Sequence, residues 1–294
     1  MAGCVVFSAT LFGFFVSNFT RFLLEKLYYK SLLRKIGVAP KNKNPYGWFG
    51  DYPSWEAASA DTAGYQQANI LEKTKQSLSR IKSGQAVYER DSVLFSQKEY
   101  PYPLISCLLH IASAHGNTLH VVDFGGSLGS SFYQIKDFLT HLEKISWHVV
   151  EQPNYVSCGK AEFEDDILKF DYTLKDGIKA CRPHVVLLSS VVQYLPEPHR
   201  FLSELARQGV EYIIFDRTSF ADSGKDRLTV QHVNPSIYQA SYPCWFFNQD
   251  DFLRHFDQYS ILAEFSSYVP SETILCIDGK PQAKDKGFFL KIKP

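Results

Sequence analysis

The stretch that most constrains the fold is Leu119–Phe132, which reads LHVVDFGGSLGSSF. An apolar run at 120–122 ends in Asp123, three glycines then crowd into a short turn, and a helical pattern follows from Ser130. Because glycine lacks a Cβ and tolerates positive φ, such a turn lets the backbone come close to a ligand. The pattern predicts a buried strand that runs through a glycine-rich turn into a helix.

The spacing of these glycines bears on the identity of the ligand. A dinucleotide fingerprint would read GxGxxG and hold a pyrophosphate at the helix N-terminus. Gly125, Gly126 and Gly129 instead follow the pattern GGxxG, and Asp123 stands just before them. A carboxylate repels a pyrophosphate but suits the cationic methionyl end of S-adenosylmethionine. The turn therefore favours this methyl donor over NAD, and a tight strand–helix connection with no ligand is the third alternative.

The next predicted strand, Trp147–Val150, also ends in an acid, Glu151. In nucleotide-binding α/β sheets, an acid at the end of the second strand accepts hydrogen bonds from ribose hydroxyls. Glu151 is therefore a candidate cofactor ligand, and an ordinary solvated glutamate is the alternative.

Apolar runs and helical patterns alternate further along the chain, as in βαβ units. The later predicted strands are Ile167–Tyr172, His184–Ser190, Glu211–Asp216, Ser260–Phe265, Thr273–Ile277 and Gly287–Ile292. Ligands of an open parallel sheet gather beyond the carboxyl ends of its strands. This rule directs attention to Ser189–Ser190 and Asp216–Arg217, which end two of these runs.

Several short motifs occur together with the glycine turn. They are DFGGSLGSS at 123–131, VVEQP at 149–153, WFGDY at 48–52, SWEA at 54–57, GY at 64–65, YERDS at 88–92, SSVVQYLP at 189–196, FDRT at 215–218 and IYQASYP at 237–243. Over residues 46–265 this combination resembles a bacterial family of class I methyltransferases associated with surface-polysaccharide gene clusters.

The resemblance implies an α/β, Rossmann-like class I methyltransferase fold with a mostly parallel central sheet in the strand order 3-2-1-4-5-7-6 and an N-terminal helical extension. It implies S-adenosylmethionine as the cofactor but does not supply the substrate. A saccharide or another small molecule is expected as the acceptor only from the family's association with polysaccharide gene clusters. The candidate cofactor-binding residues are Asp123, Gly125, Gly126, Ser127, Gly129, Glu151, Gln152, Ser189 and Ser190.

The candidate catalytic residues are Asp216, Arg217 and His232. Asp216 could act as a base or hold Arg217, and Arg217 could clamp an anionic group or form a structural ion pair. His232 falls in a predicted loop, with Asp226, where a substrate lid would lie, although a surface histidine is the alternative. Ser189–Ser190 could face the substrate or cap a helix. An aromatic cluster could stack on a sugar ring or belong to the core; it comprises Tyr238, Tyr242, Trp245, Phe246 and Phe247.

Charge and cysteine usage narrow the range of partners. The 31 basic and 31 acidic residues balance, so no global field attracts nucleic acid. The six cysteines are scattered without a CxxC pair, and no histidine cluster has metal-ligand spacing. A metal site and a disulfide framework are therefore not expected, and a reducing cytoplasm fits.

The N-terminal region has a different character. Residues 1–20 carry no charge, and residues 21–35 alternate Lys and Arg with large apolar side chains. Residues 1–39 are predicted to be a helical segment, and peripheral contact of residues 1–36 with the cytoplasmic membrane face is weighed against packing on the domain. Residues 40–117 are expected to form a helical extension or cap, and residues 118–294 the methyltransferase-like domain.

The favoured function is O-methylation of a saccharide or glycolipid precursor in surface-polysaccharide biosynthesis. A catalytically inactive, methyltransferase-like nucleoside-binding or scaffold protein is the first alternative. An NAD-dependent nucleotide-sugar enzyme is the second, against which the GGxxG spacing and Asp123 argue.

Overall fold

The computed structural model describes residues 45–62, 67–235, 237 and 239–294. Residues Tyr46–Pro294 form one compact unit. The predicted membrane-associated segment at 1–39, the Gly64–Tyr65 motif and Tyr238 of the aromatic cluster lie outside the described residues.

The secondary structure alternates between helices and strands over most of the chain. The helices are α1 Trp55–Ala60, α2 Gln67–Lys82, α3 Tyr102–Ala114, α4 Ser130–Ile135, α5 Pro153–Glu162, α6 Leu174–Cys181, α7 Pro198–Ala206 and α8 Gln249–Leu253. The strands are β1 Gly47–Phe49, β2 Tyr88–Arg90, β3 Val93–Phe95, β4 Thr118–Phe124, β5 Lys144–Val150, β6 Leu168–Asp171, β7 Val185–Ser189, β8 Tyr212–Ala221, β9 Arg227–His232, β10 Ser241–Phe246, β11 Tyr259–Ser266, β12 Leu275–Ile277 and β13 Lys280–Ile292.

Seven strands form the Rossmann-like sheet in the order β6-β5-β4-β7-β8-β13-β11. The first five are parallel to one another, and β13 runs antiparallel to both of its neighbours, β8 and β11. Numbered along the chain, this is the order 3-2-1-4-5-7-6 of the class I methyltransferase fold. The predicted fold class is thereby confirmed.

Helices cover both faces of this sheet, as its continuous apolar strands require. On one face, Val121 and Leu187 pack with Leu108 of α3 in a single buried cluster. On the other face, the adjacent residues Val122 and Val186 pack in a second cluster that includes apolar residues of α7 and α8. The glycine turn therefore follows a strand, β4, that is fixed from both sides.

A second set of strands extends from β13 and returns to the main sheet. The strands β13, β12, β1, β9 and β10 pair in that order. The chain after β10 then reaches β8, because the Phe247 amide donates to the Ser219 carbonyl at 2.9 Å and the Phe247 carbonyl accepts from the Ala221 amide at 3.0 Å. We call this closed arrangement the strand ring. Its separate apolar core comprises Cys244, Phe246, Leu275, Ile277 and Ala283.

The strand ring corrects two expectations from the sequence. The segment after β8 forms strands β9 and β10 rather than the predicted loop, so His232 lies at the end of a strand. The expected extension over residues 40–117 is not wholly helical, because it supplies β1 to the ring and the β2–β3 hairpin. Within the described residues, no helix combines the length and apolar character that a membrane-crossing segment needs.

Candidate active site

A cavity of about 200 Å³ lies beyond the carboxyl ends of β4, β5 and β7 and beside the middle of β8, which continues past the end predicted at Asp216. It brings together nine of the residues predicted from sequence: Gly125, Gly126, Ser127, Glu151, Gln152, Ser189, Ser190, Asp216 and Arg217. Among the described residues, the predicted site members that do not line it are Asp123, Gly129 and His232.

The glycines of the turn are required by its packing against the surrounding strands. Gly125 and Gly129 have φ values of 75° and 95°, in the left-handed region that favours glycine. A Cβ on Gly125 would lie 2.3 Å from Cγ2 of Val191, and one on Gly129 would lie 2.9 Å from Cδ2 of Leu168. Any side chain at these two positions therefore collides with protein atoms, whether or not a ligand is bound.

Asp123 lies beneath the turn rather than in the cavity. Its side chain is buried, and its Oδ2 accepts a hydrogen bond of 3.1 Å from the indole nitrogen of Trp147. A Cβ on Gly126 would stand 2.5 Å from the carboxyl group, so the turn covers it closely. Burial, with a smaller contribution from the charge of Glu151, raises the pKa of Asp123 to about 7. Asp123 thus packs beneath the glycine turn and does not line the cavity.

Glu151 follows β5 directly and lines the cavity beside Gln152. Its Oε2 accepts a hydrogen bond of 2.7 Å from the Gln152 amide. Burial raises the pKa of Glu151, and the hydrogen bonds from the Gln152 and Ser127 amides oppose that shift. This position agrees with the predicted role of an acid at the end of the second parallel strand.

Asp216 lies at the boundary between β7 and β8. The Ser189 hydroxyl donates to its Oδ2 at 2.9 Å, and the Ser190 amide donates to its backbone carbonyl at 3.0 Å. Burial raises the pKa of Asp216, while the positive charge of Arg217 lowers it. Ser189 and Ser190 thus hold Asp216 from the end of the neighbouring strand, and Asp216 lines the cavity.

Arg217 forms structural ion pairs with Glu272 and Asp91, and not with Asp216, the partner considered from sequence. Its Nε donates to Glu272 Oε2 at 2.9 Å and its Nη2 to Glu272 Oε1 at 2.6 Å, a bidentate geometry. Nη2 also donates to Asp91 Oδ2 at 3.1 Å. The guanidinium therefore ties the middle of β8 to the β2–β3 hairpin and to the segment before β12.

The hairpin contributes an acid that the sequence did not identify as a site residue. Glu89 is 5% exposed and lines the cavity. Its Oε1 accepts from the Ser92 amide at 2.5 Å, and its Oε2 accepts from the Ser130 hydroxyl at 3.0 Å. Burial raises the pKa of Glu89 to about 7. The only sequence signal was its place in the YERDS motif, which carries no chemical role by itself.

His232 and the aromatic cluster belong to the strand ring. His232 pairs with Gly47 and Ser241, and its ring centroid lies 5.7 Å from that of Phe49. Phe246 and Phe247 are fully buried, which supports the core interpretation for this part of the cluster. His232 is thus not brought to the cavity, because the predicted lid is a strand whose direction is fixed by its pairing.

The balance of charge in the cavity is acidic. Its carboxylates are Glu89, Asp91, Glu151 and Asp216, and its guanidiniums are Arg90 and Arg217. Both guanidiniums already pair with carboxylates, Arg90 with Glu99 at 2.5 Å and Arg217 with Glu272 and Asp91. The arrangement suits a cationic or hydroxyl-rich ligand and disfavours a polyanion. No set of three His, Cys, Asp or Glu side chains in the described ranges is arranged to hold a metal ion.

Comparison with solved structures finds similar folds at low sequence identity. An S-adenosylmethionine-dependent methyltransferase from Clostridium acetobutylicum is 8% identical, with 66% of this chain and 93% of that chain covered and a TM-score of 0.41. The N-terminal domain of EvdMO1, solved in the presence of SAH and D-fucose, is 13% identical, with coverages of 78% and 98% and a TM-score of 0.43.

CalS10 from Micromonospora echinaspora, an amino pentose methyltransferase solved with SAM, is 9% identical, with coverages of 67% and 92% and a TM-score of 0.40. No protein-family model matches the chain, and no curated protein sequence matches it.

Proposed function

We propose that this chain is an S-adenosylmethionine-dependent methyltransferase that methylates a hydroxyl group of a saccharide or glycolipid precursor in surface-polysaccharide biosynthesis. The observation that carries the proposal is the acid-rich cavity beyond β4, β5 and β7 and beside β8, which combines the glycine turn with Glu151 and Asp216. The polysaccharide context rests on the family resemblance of the sequence.

The residues around the cavity fit this methyl donor. The backbone of Gly125–Ser127 would face it, and Glu151 would accept hydrogen bonds from its ribose hydroxyls. The donor, when bound, supplies a methyl group on a sulfonium, whose leaving group is already activated. Carboxylates without a basic partner would stabilise its positive charge and would repel the pyrophosphate of NAD.

Asp216 is the residue that would receive the proton of the acceptor hydroxyl. The Ser189 hydroxyl orients its carboxylate. Burial raises the pKa of Asp216, which makes it a stronger base, and the positive charge of Arg217 partly offsets that shift. The protein otherwise contributes by holding the acceptor oxygen in line with the methyl group. Carboxylates such as Asp216 and Glu89 are also common hydrogen-bond acceptors for sugar hydroxyls.

Transfer of a radiolabelled methyl group from S-adenosylmethionine to saccharide and glycolipid acceptors tests the proposal. Asp216→Asn should lower kcat by about 10²- to 10⁴-fold, the usual contribution of a general base. Asp222→Asn is the matched control, because its side chain is exposed and its partner is Lys284 at the surface. Equal transfer rates in the two variants would remove Asp216 from the mechanism, and donor binding without transfer to any acceptor would favour a nucleoside-binding protein.

A further inference from the structure

We propose that Glu89 binds the α-ammonium group of the methyl donor, the role that the sequence pattern suggested for Asp123. This assignment rests on the proposed function, because it concerns the amino-acid end of the same ligand. It places a donor-binding residue on the β2–β3 hairpin, outside the Rossmann-like sheet.

Asp123 is not available for this contact. The turn covers its carboxyl group so closely that a Cβ on Gly126 would stand 2.5 Å from Cγ, and the Trp147 indole occupies Oδ2. A ligand in the cavity therefore meets the backbone of Gly125–Ser127 before it could meet the Asp123 carboxylate.

Glu89 occupies the cavity side of the same turn. Its Oε2 accepts from the hydroxyl of Ser130, the first residue of the helix that the glycine turn leads into. Its Oε1 accepts from the Ser92 amide, so neutral donors fix both oxygens in place. Within the described part of the chain, no basic side chain forms an ion pair with Glu89 at 4.0 Å or less. A buried carboxylate without a cation is unfavourable, and a bound ammonium would offset that cost.

The other cavity carboxylates have different surroundings. Asp91 pairs with Arg217, a guanidinium that it shares with Glu272. Glu151 follows β5, where an acid meets ribose hydroxyls, and Asp216 adjoins Ser189 and Arg217 where β7 ends beside β8. Glu89 therefore lines the cavity beside the start of the helix that follows the glycine turn, without a cationic partner among the described residues and away from the expected ribose position at Glu151.

Binding of two related ligands tests the assignment. S-adenosylhomocysteine carries the ammonium group, whereas 5′-methylthioadenosine keeps the nucleoside and lacks the amino-acid end. Glu89→Gln should weaken the binding of S-adenosylhomocysteine by about 10- to 100-fold and leave that of methylthioadenosine within about twofold. The glutamine amide can still accept from Ser92 and donate to Ser130, so the hairpin should keep its position.

Two further variants make the result specific. Glu151→Gln should weaken both ligands alike, because both contain the ribose. Ser130→Ala, which frees Glu89 Oε2 without altering the hairpin, should weaken S-adenosylhomocysteine several-fold more than methylthioadenosine.

Three outcomes would overturn the assignment. They are equal losses of both ligands in Glu89→Gln, no loss of either, and an unchanged affinity for S-adenosylhomocysteine combined with loss of methyl transfer. If the unaltered chain binds neither ligand, the proposed function itself is wrong, and a wild-type titration identifies that case before any variant is compared.

Discussion

At the scale of single residues, the buried acids of the site have unequal roles because their partners differ. Asp123 and Glu89 are both buried, yet Asp123 supports the turn from below while Glu89 faces the cavity. Asp216 is held by Ser189, and Arg217 is held by Glu272 and Asp91. The position of each carboxylate relative to the turn therefore decides whether it can meet a ligand.

Asp123 should make the stability of the fold depend on pH. Burial raises its pKa from near 3.8 to about 7, so the folded state binds the proton more tightly than the unfolded state. The resulting stabilisation is complete below about pH 4 and is lost as the pH rises through about 7. Between pH 5 and 8, the free energy of unfolding should fall by about 2–3 kcal/mol more in the wild type than in Asp123→Asn. Urea denaturation at both pH values measures this, and parallel pH dependence in the two proteins would contradict it.

Substitution of Gly125 should destabilise the folded protein even when no ligand is bound. Gly125→Ala should lower the free energy of unfolding by about 2–4 kcal/mol, since it adds strain at φ 75° and a contact of 2.3 Å with Val191. Gly209→Ala is the control for backbone strain alone, because φ there is 63° and nothing lies within 4 Å.

Val191→Ala in the Gly125→Ala background should recover part of the steric loss, because it removes the Val191 Cγ2 at 2.3 Å but leaves the Val191 Cβ at 2.8 Å. Denaturant unfolding of the wild type, the Gly125→Ala and Val191→Ala single variants and the double variant gives the comparison. Strictly additive effects of the two substitutions would show that the contact with Val191 is not the cause.

At the scale of elements, the segment after β8, which the sequence predicts to be a loop, forms β9 and β10 of the strand ring and contributes to its apolar core. Phe246 of β10 is fully buried in the ring, whereas Tyr102 of α3 is 62% exposed. Phe246→Ala should therefore cost about 3–5 kcal/mol of unfolding free energy, and Tyr102→Ala less than about 1 kcal/mol. Chemical denaturation of both variants measures the difference. A small effect at Phe246 would mean that β10 moves independently of the cooperative unit.

The elements also show which parts of the fold were accessible from sequence. The sequence predicts strands β4, β5 and β7 because nearly continuous apolar runs are typical of strands that are buried on both faces. Strand β9, RLTVQH, mixes polar and apolar residues because its environment changes along its length, and β1 has only three residues. Neither carries a local signal strong enough to distinguish it from a loop.

The same limit applies to the site. Glu151 and Asp216 follow apolar runs, so the rule about carboxyl ends of strands found them. Glu89 lies on a three-residue strand, and the contacts that hold its hairpin at the cavity join residues far apart in sequence, such as Glu89 with Ser130 and Asp91 with Arg217. The spacing of the motif predicts that Asp123 meets the ligand. Its carboxyl group instead lies beneath Gly126, and this depends on packing that the spacing does not encode.

At the scale of the whole molecule, the sheet, the hairpin and the segment before β12 enclose one acid-rich cavity. Arg217 connects all three, and its charge is already satisfied by Glu272 and Asp91. The cavity therefore presents carboxylates rather than guanidiniums to a ligand. This charge distribution should favour the binding of a sulfonium donor over that of a pyrophosphate cofactor.

Isothermal titration calorimetry with S-adenosylmethionine, S-adenosylhomocysteine and NAD measures this preference. We expect S-adenosylmethionine and S-adenosylhomocysteine to bind and NAD to show no measurable binding. In Glu151→Ala, the binding free energy of S-adenosylhomocysteine should weaken by about 1–3 kcal/mol. Binding of NAD in preference to the methyl donor, or unchanged affinity in a folded Glu151→Ala variant, would contradict these expectations.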